Sequence, residues 1–138
     1  MSNVLFRISV VLGLLGIGLG IVMGIRQDFS LMPAHAHLNL LGFVALFLTA
    51  LYYRAFPQAA ATRLAKIQAA LAVIGAVLFP AGIACVTLDD HRRYFPLVIV
   101  GALTVFAGMA LFSLVVFRAS PVARRAHAQP LQTSSINA

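Results

Sequence analysis

The 138-residue chain has no tryptophan, no glutamate and one cysteine, and only 9% of its residues are charged. A soluble domain of this length would carry about a quarter charged residues, so the soluble class is excluded. Cys85 stands alone, so no intrachain disulfide can form, and it reads as a small buried apolar side chain. Polar residues are scarce in the deep apolar stretches, where Asn39, Thr49 and Ser113 interrupt the pattern. That scarcity argues against a transporter with a polar path across the membrane.

What is present is apolar and long. Hydrophobic residues make up 62% of the chain and gather in four runs, 4–25, 34–53, 64–88 and 96–117. Each run holds roughly 20 residues or more, enough at ~1.5 Å per residue to cross a ~30 Å hydrocarbon core. The expected fold is therefore an all-α membrane protein of four transmembrane helices. Residues 1–118 form the transmembrane domain, and 119–138, polar and small, are expected to be a disordered cytoplasmic tail. The first run is too long for a signal-peptide core. Its nearest small-residue cleavage pattern, Ala34-His35-Ala36, lies well beyond the run, so cleavage is not expected.

Charge sets the expected orientation. Arg7, Arg54, Arg63, Lys66, Arg118, Arg124 and Arg125 fall on one side of the four runs. Only Arg26, Arg92 and Arg93 fall on the other, which predicts cytoplasmic termini in a bacterial inner membrane. The net charge of +7 is met by anionic headgroups of the inner leaflet and requires no nucleic acid.

One glycine pattern and two prolines shape the helices. Gly16, Gly20 and Gly24 lie four apart in the first run, a spacing that serves intramolecular packing or oligomer contact equally well. Pro80 predicts a kink or loosened turn in the outer half of the third helix, and Pro96 is expected to open the fourth.

The chemistry concentrates at Ala34-His35-Ala36-His37, where the second run begins. Ionisable side chains are costly in a bilayer, so intramembrane histidines are candidate functional residues by default. Residues two apart lie about 200° around a helix, so His35 and His37 point to nearly opposite faces and cannot share one metal ion. Each could ligate a separate centre, which points to haem. The His35 face continues through Asn39, Gly42 and Leu46, and a small residue at Gly42 would leave room for a flat macrocycle. The His37 face continues through Leu40, Leu41, Val44 and Leu48, a wall for a porphyrin edge or another helix. The helix order brings Asp89, Asp90, His91, Arg92 and Arg93 to the same end of the bundle. Guanidinium groups match carboxylates in a bidentate fork, and haem carries two propionates.

On these residues the chain resembles the haem-copper oxidase superfamily, over the last third of its catalytic subunit. There an A-H-x-H helix ligates high-spin and low-spin haems on its two faces, and a P-R-R-Y-x-x-x-P loop binds propionates. The resemblance implies that His35 is the high-spin ligand, His37 the low-spin ligand, and Arg92 and Arg93 the propionate clamps. His91 stands where the family has proline, so no role passes to it. The family's subunit has twelve helices in three arcs of four, and this chain supplies one arc. The copper-binding histidines and cross-linked tyrosine belong to an absent arc, and no embedded glutamate or lysine suggests a proton channel. Oxygen reduction coupled to proton pumping is therefore not expected of this chain alone.

The expected function is a haem b protein for electron transfer, redox chemistry or O₂ or NO binding, working with a redox partner protein. Three copies would restore the threefold layout, so a homotrimer with haem between protomers is expected. Two alternatives stay open. One is a non-haem copper or zinc site at His35, His37 and His91. The other is a structural or assembly subunit of a respiratory complex.

Overall fold

The structure is a computed structural model that describes residues 1–89 and 91–127, with side-chain surroundings for 1–89 and 92–118. The described chain is helical, with no strand. Helix α1 spans Ser2–Arg26. The second span comprises α2 (Met32–His37), a π-helical segment (Leu38–Ala45) and α3 (Leu46–Ala55). A single turn, α4 (Pro57–Ala60), leads to α5 (Arg63–Leu88), and α6 (His91–His127) completes the chain. Four helical stretches, Ser2–Arg26, Met32–Ala55, Arg63–Leu88 and Arg92–Arg118, are long and apolar enough to cross a membrane. The helix past Arg118 continues to His127, and residues 128–138 lie outside the described residues.

The connections are short and locally satisfied. Gln27 ends α1 with φ 52°, a left-handed position where glycine is usual. Its side chain offsets part of that strain by donating from Nε2 to the Gly24 carbonyl at 2.6 Å. Asp28 then accepts the Ser30 N–H at 3.0 Å, an Asx turn that leads into α2. Pro33 occupies the first turn of α2, where a missing N–H costs nothing. Thr62 caps α5 by accepting the Ala65 N–H at 3.2 Å.

One proline expectation is revised. Helix α6 starts at His91, five residues before Pro96, because a proline in the second turn removes one hydrogen bond without ending a helix. Helix α5 runs through Pro80 without a break, and Pro80 is buried against its neighbours.

The spans pack as a row in chain order: α1 on the second span, the second span on α5, and α5 on α6. The α5–α6 seam is the tightest. A Cβ at Gly75 would lie 2.8 Å from a Val105 methyl, at Gly82 3.0 Å from the Val98 nitrogen, and at Gly101 2.7 Å from the Phe79 Cα. Gly75 and Gly82 are seven apart, as are Gly101 and Gly108, so small residues meet the facing helix once per heptad. The two backbones keep one antiparallel register along the whole seam.

The core lies toward the Arg54 end, where Leu5, Leu46, Ala50, Tyr53, Ala65, Ala69, Ala76 and Val115 are buried together. Tyr53 is 2% exposed and donates its hydroxyl to Gln68 Oε1 at 2.8 Å, joining the second span to α5. Interhelical hydrogen bonds in membranes contribute about 0.6 kcal/mol on average and up to about 1.7. Tyr53→Phe leaves the buried Gln68 oxygen without its donor, so a loss of about 1 kcal/mol is expected. Reversible unfolding in mixed detergent micelles measures it, with Tyr52→Phe as the control. Equal stability of the two variants would remove this bond from the account.

Candidate functional site

The site is built where the second span passes between α1 and α5. Residues two apart on a helix face opposite ways, and the structure places the two imidazoles accordingly. His35 lies against α1, its Nδ1 2.9 Å from the Gly16 carbonyl oxygen. His37 lies against α5, its ring in edge contact with Phe79 at 4.8 Å between centroids and 79° between planes. The His37 Nδ1 is bonded within its own helix, 2.7 Å from the Pro33 carbonyl oxygen.

Chemistry fixes the tautomers. A carbonyl oxygen only accepts, so Nδ1 of each ring carries the proton. Asn39 Nδ2 sits 3.3 Å from the His35 Nδ1, but two donors cannot bond each other. The amide therefore donates to the His35 carbonyl oxygen at 3.0 Å. In the neutral ring this tautomer leaves Nε2 as the nitrogen able to ligate a metal, with Nδ1 held by a backbone acceptor.

The same Asn39 contact accounts for the local backbone. Its amide enters the helical ladder at the His35 carbonyl, and the helix opens into the eight-residue π segment Leu38–Ala45. Such segments are rare and appear mostly at functional sites. Composition gives no sign of it.

Glycines of α1 make the close approach possible. A Cβ at Gly16 would lie 2.5 Å from Asn39 Oδ1, and one at Gly20 2.7 Å from His35 Cε1. Gly13 takes Phe43 in the same way, at 3.0 Å, whereas Gly18 and Gly24 meet nothing within 4 Å. Of the two uses open to the glycine stripe, intramolecular packing therefore takes Gly13, Gly16 and Gly20. The room expected beside Gly42 is filled: its Cβ would lie 3.0 Å from Leu12 Cβ. A macrocycle does not fit between α1 and the second span, because α1 itself occupies that face. The rest of the His37 face divides. Leu41 packs toward the core, while Leu40, Val44 and Leu48 are exposed as a lipid-facing side would be.

Comparison with family models, with curated proteins and with solved structures finds no match to this chain. The reading of the site therefore rests on its own geometry.

Arg92 and Arg93 lie in the first turn of α6, both exposed, with the Arg93 guanidinium 5.5 Å from the Tyr94 ring centre. Gly101 is level with Phe79, so eight residues of helix, about 12 Å, set Arg93 above the His37 level. Asp89 ends α5 at this same end and is exposed. Asp90 and the side chain of His91 lie outside the described residues. At the α1–α2 turn, the Ser30 backbone N–H, helped by its side chain and by Arg26, holds the Asp28 carboxyl below its usual pKa, so it is ionised at neutral pH. Among the described residues no three His, Cys, Asp or Glu side chains converge as a metal-binding group. Cys85 is half-buried on α5.

Three residues were missed by sequence reasoning. Phe79 and Gly101 carry no signal beyond the heptad spacing of the α6 glycines. Gln68 does carry one, as a lone amide in the 64–88 run.

Proposed function

We propose that this chain is a membrane haem b-binding protein, similar to one four-helix arc of a haem-copper oxidase catalytic subunit. One observation carries the reading: one helix bears two imidazoles on opposite faces, each with Nδ1 bonded to a backbone carbonyl oxygen and Nε2 outside that bond. That donor set suits axial ligation, one nitrogen to a centre, better than a tetrahedral site needing several converging ligands. The group, when bound, supplies a one-electron iron couple and, with an open axial position, a site for O₂ or NO.

The chain's own residues divide the remaining work. His37 and His35 would hold the group through Nε2, His35 from the part of its ring that α1 leaves uncovered. Asn39 holds the backbone between the two ligands. Arg92 and Arg93, in the first turn of α6, would pair with propionate carboxylates. The row of four spans leaves the outer flanks of α1 and α6 as the surfaces on which neighbouring copies of a homotrimer would meet. The arginine distribution puts both termini in the cytoplasm of a bacterial inner membrane and the histidines near the periplasmic side, where a redox partner protein would dock.

The test is an absorption spectrum of the detergent-purified protein, oxidised and then dithionite-reduced, with a pyridine haemochrome assay. A Soret band with sharp reduced α and β bands is expected. A flat visible spectrum from protein expressed with ample haem removes the proposal. A haem-free particle of monomer mass removes the trimer.

A further inference from the structure

We propose that Phe79, held in place by Gly101, is a positioning residue that sets the ring plane of His37. The inference rests on the reading of His37 as a ligand for its consequence, but its geometry stands without any bound group.

An imidazole on a helix has two torsions to fix. The bond from Nδ1 to the Pro33 carbonyl oxygen at 2.7 Å decides which nitrogen turns inward to the helix and which outward. One hydrogen bond still leaves the ring free to swing about the donor–acceptor line. The Phe79 contact, at 4.8 Å and 79°, closes that remaining freedom.

Phe79 can act as a stop because it cannot retreat. Its backbone lies directly against that of α6, with no side chain on Gly101 between them. A Cβ at Gly101 would lie 2.7 Å from the Phe79 Cα and 2.9 Å from its nitrogen. The next residue, Pro80, is buried and has a fixed φ, which stiffens the backbone that carries the ring. The order of support runs from Gly101 to the Phe79 backbone, from the Phe79 ring to His37, and from His37 to its Nε2. His35 has a different support, the Gly16 carbonyl and the Gly20 surface of α1. The two imidazoles are thus oriented by separate helices, and one can be loosened without the other. Groups that orient a ligating histidine alter metal affinity or activity 10–100-fold when removed, which is the scale expected here for haem retention.

The decisive measurement is made on the haem-free protein in lipid nanodiscs, with isotope-labelled histidine and proton–proton contacts to the aromatic rings. In the wild type, nuclear Overhauser contacts between the His37 and Phe79 rings and a rigid His37 ring C–H are expected. In Phe79→Leu and Phe79→Met the His37 ring order falls while that of His35 does not, and Phe79→Tyr restores it. Loaded with haem, Phe79→Leu then shows a shifted low-spin ferric resonance. Wild-type rings without mutual contacts, or a His37 ring equally rigid in both variants, would overturn the proposal. Should no haem bind, the functional reading fails while the ring-order result still stands for or against Phe79. The contact measurement on unaltered protein also decides the matter if a variant does not fold.

Discussion

Purified His37→Ala protein is expected to lose the low-spin haem signature, with haem retention reduced more than 10-fold. A variant without the nitrogen cannot be rescued by neighbouring side chains, because no other described side chain offers a nitrogen on that face of the helix. Imidazole added to the buffer should restore part of the spectrum, since the alanine leaves a ring-sized space beside Phe79. His35→Ala is expected to change the spectrum as well, but with a second effect. It deletes the bond to the Gly16 carbonyl and empties the surface at Gly20, so α1 loses about 1 kcal/mol of its hold on the second span. The two variants are therefore separable: one is repaired by free imidazole, and the other keeps a stability loss that free imidazole does not mend. Spectra left untouched by both substitutions would show that neither histidine is a ligand.

The largest stability effect is expected at Gly101. Even one methyl group there must push on the Phe79 Cα and nitrogen at 2.7 and 2.9 Å, and backbone atoms of a packed helix cannot swing aside. Overpacking of this kind costs typically 1–3 kcal/mol, and Gly101→Ala should fall in that range or above it. Gly24→Ala supplies the contrast, for its Cβ meets nothing within 4 Å. There the methyl group only improves helix propensity, so stability stays level or rises by up to ~1 kcal/mol. Unfolding of the two variants in mixed micelles reads the difference directly. Gly101→Ala as stable as Gly24→Ala would mean that the α5–α6 seam has slack the structure does not show.

The two glycine sites also explain what could be read in advance and what could not. The four-apart stripe in the first run announced close packing, yet its spacing could not say what packs there. Gly16 and Gly20 turn out to face Asn39 and His35 of the same chain, while Gly24, one step further along the same stripe, faces open space. A repeat is a one-dimensional fact, and the place where α1 diverges from its neighbour is a three-dimensional one. Gly42 carries the same lesson with the opposite sign. Its smallness suggested a slot for a ligand, and Leu12 fills that slot.

The sequence by itself determined the number of spans, their approximate limits, the antiparallel hairpins and the opposite headings of His35 and His37. Each of these follows from short-range quantities: the length of apolar runs, the short connections, and the 100° step of a helix. Only the tertiary structure decided that His35 belongs to α1 and His37 to α5. It also revealed the π segment that Asn39 opens after the histidines, the Tyr53–Gln68 bond and the pressure of Gly101 on Phe79. Those depend on the register between helices, and register comes from which small residues on each face let two backbones approach most closely. In a membrane that choice is made by packing between chain segments of nearly equal hydrophobicity, so hydropathy along the chain carries no record of it.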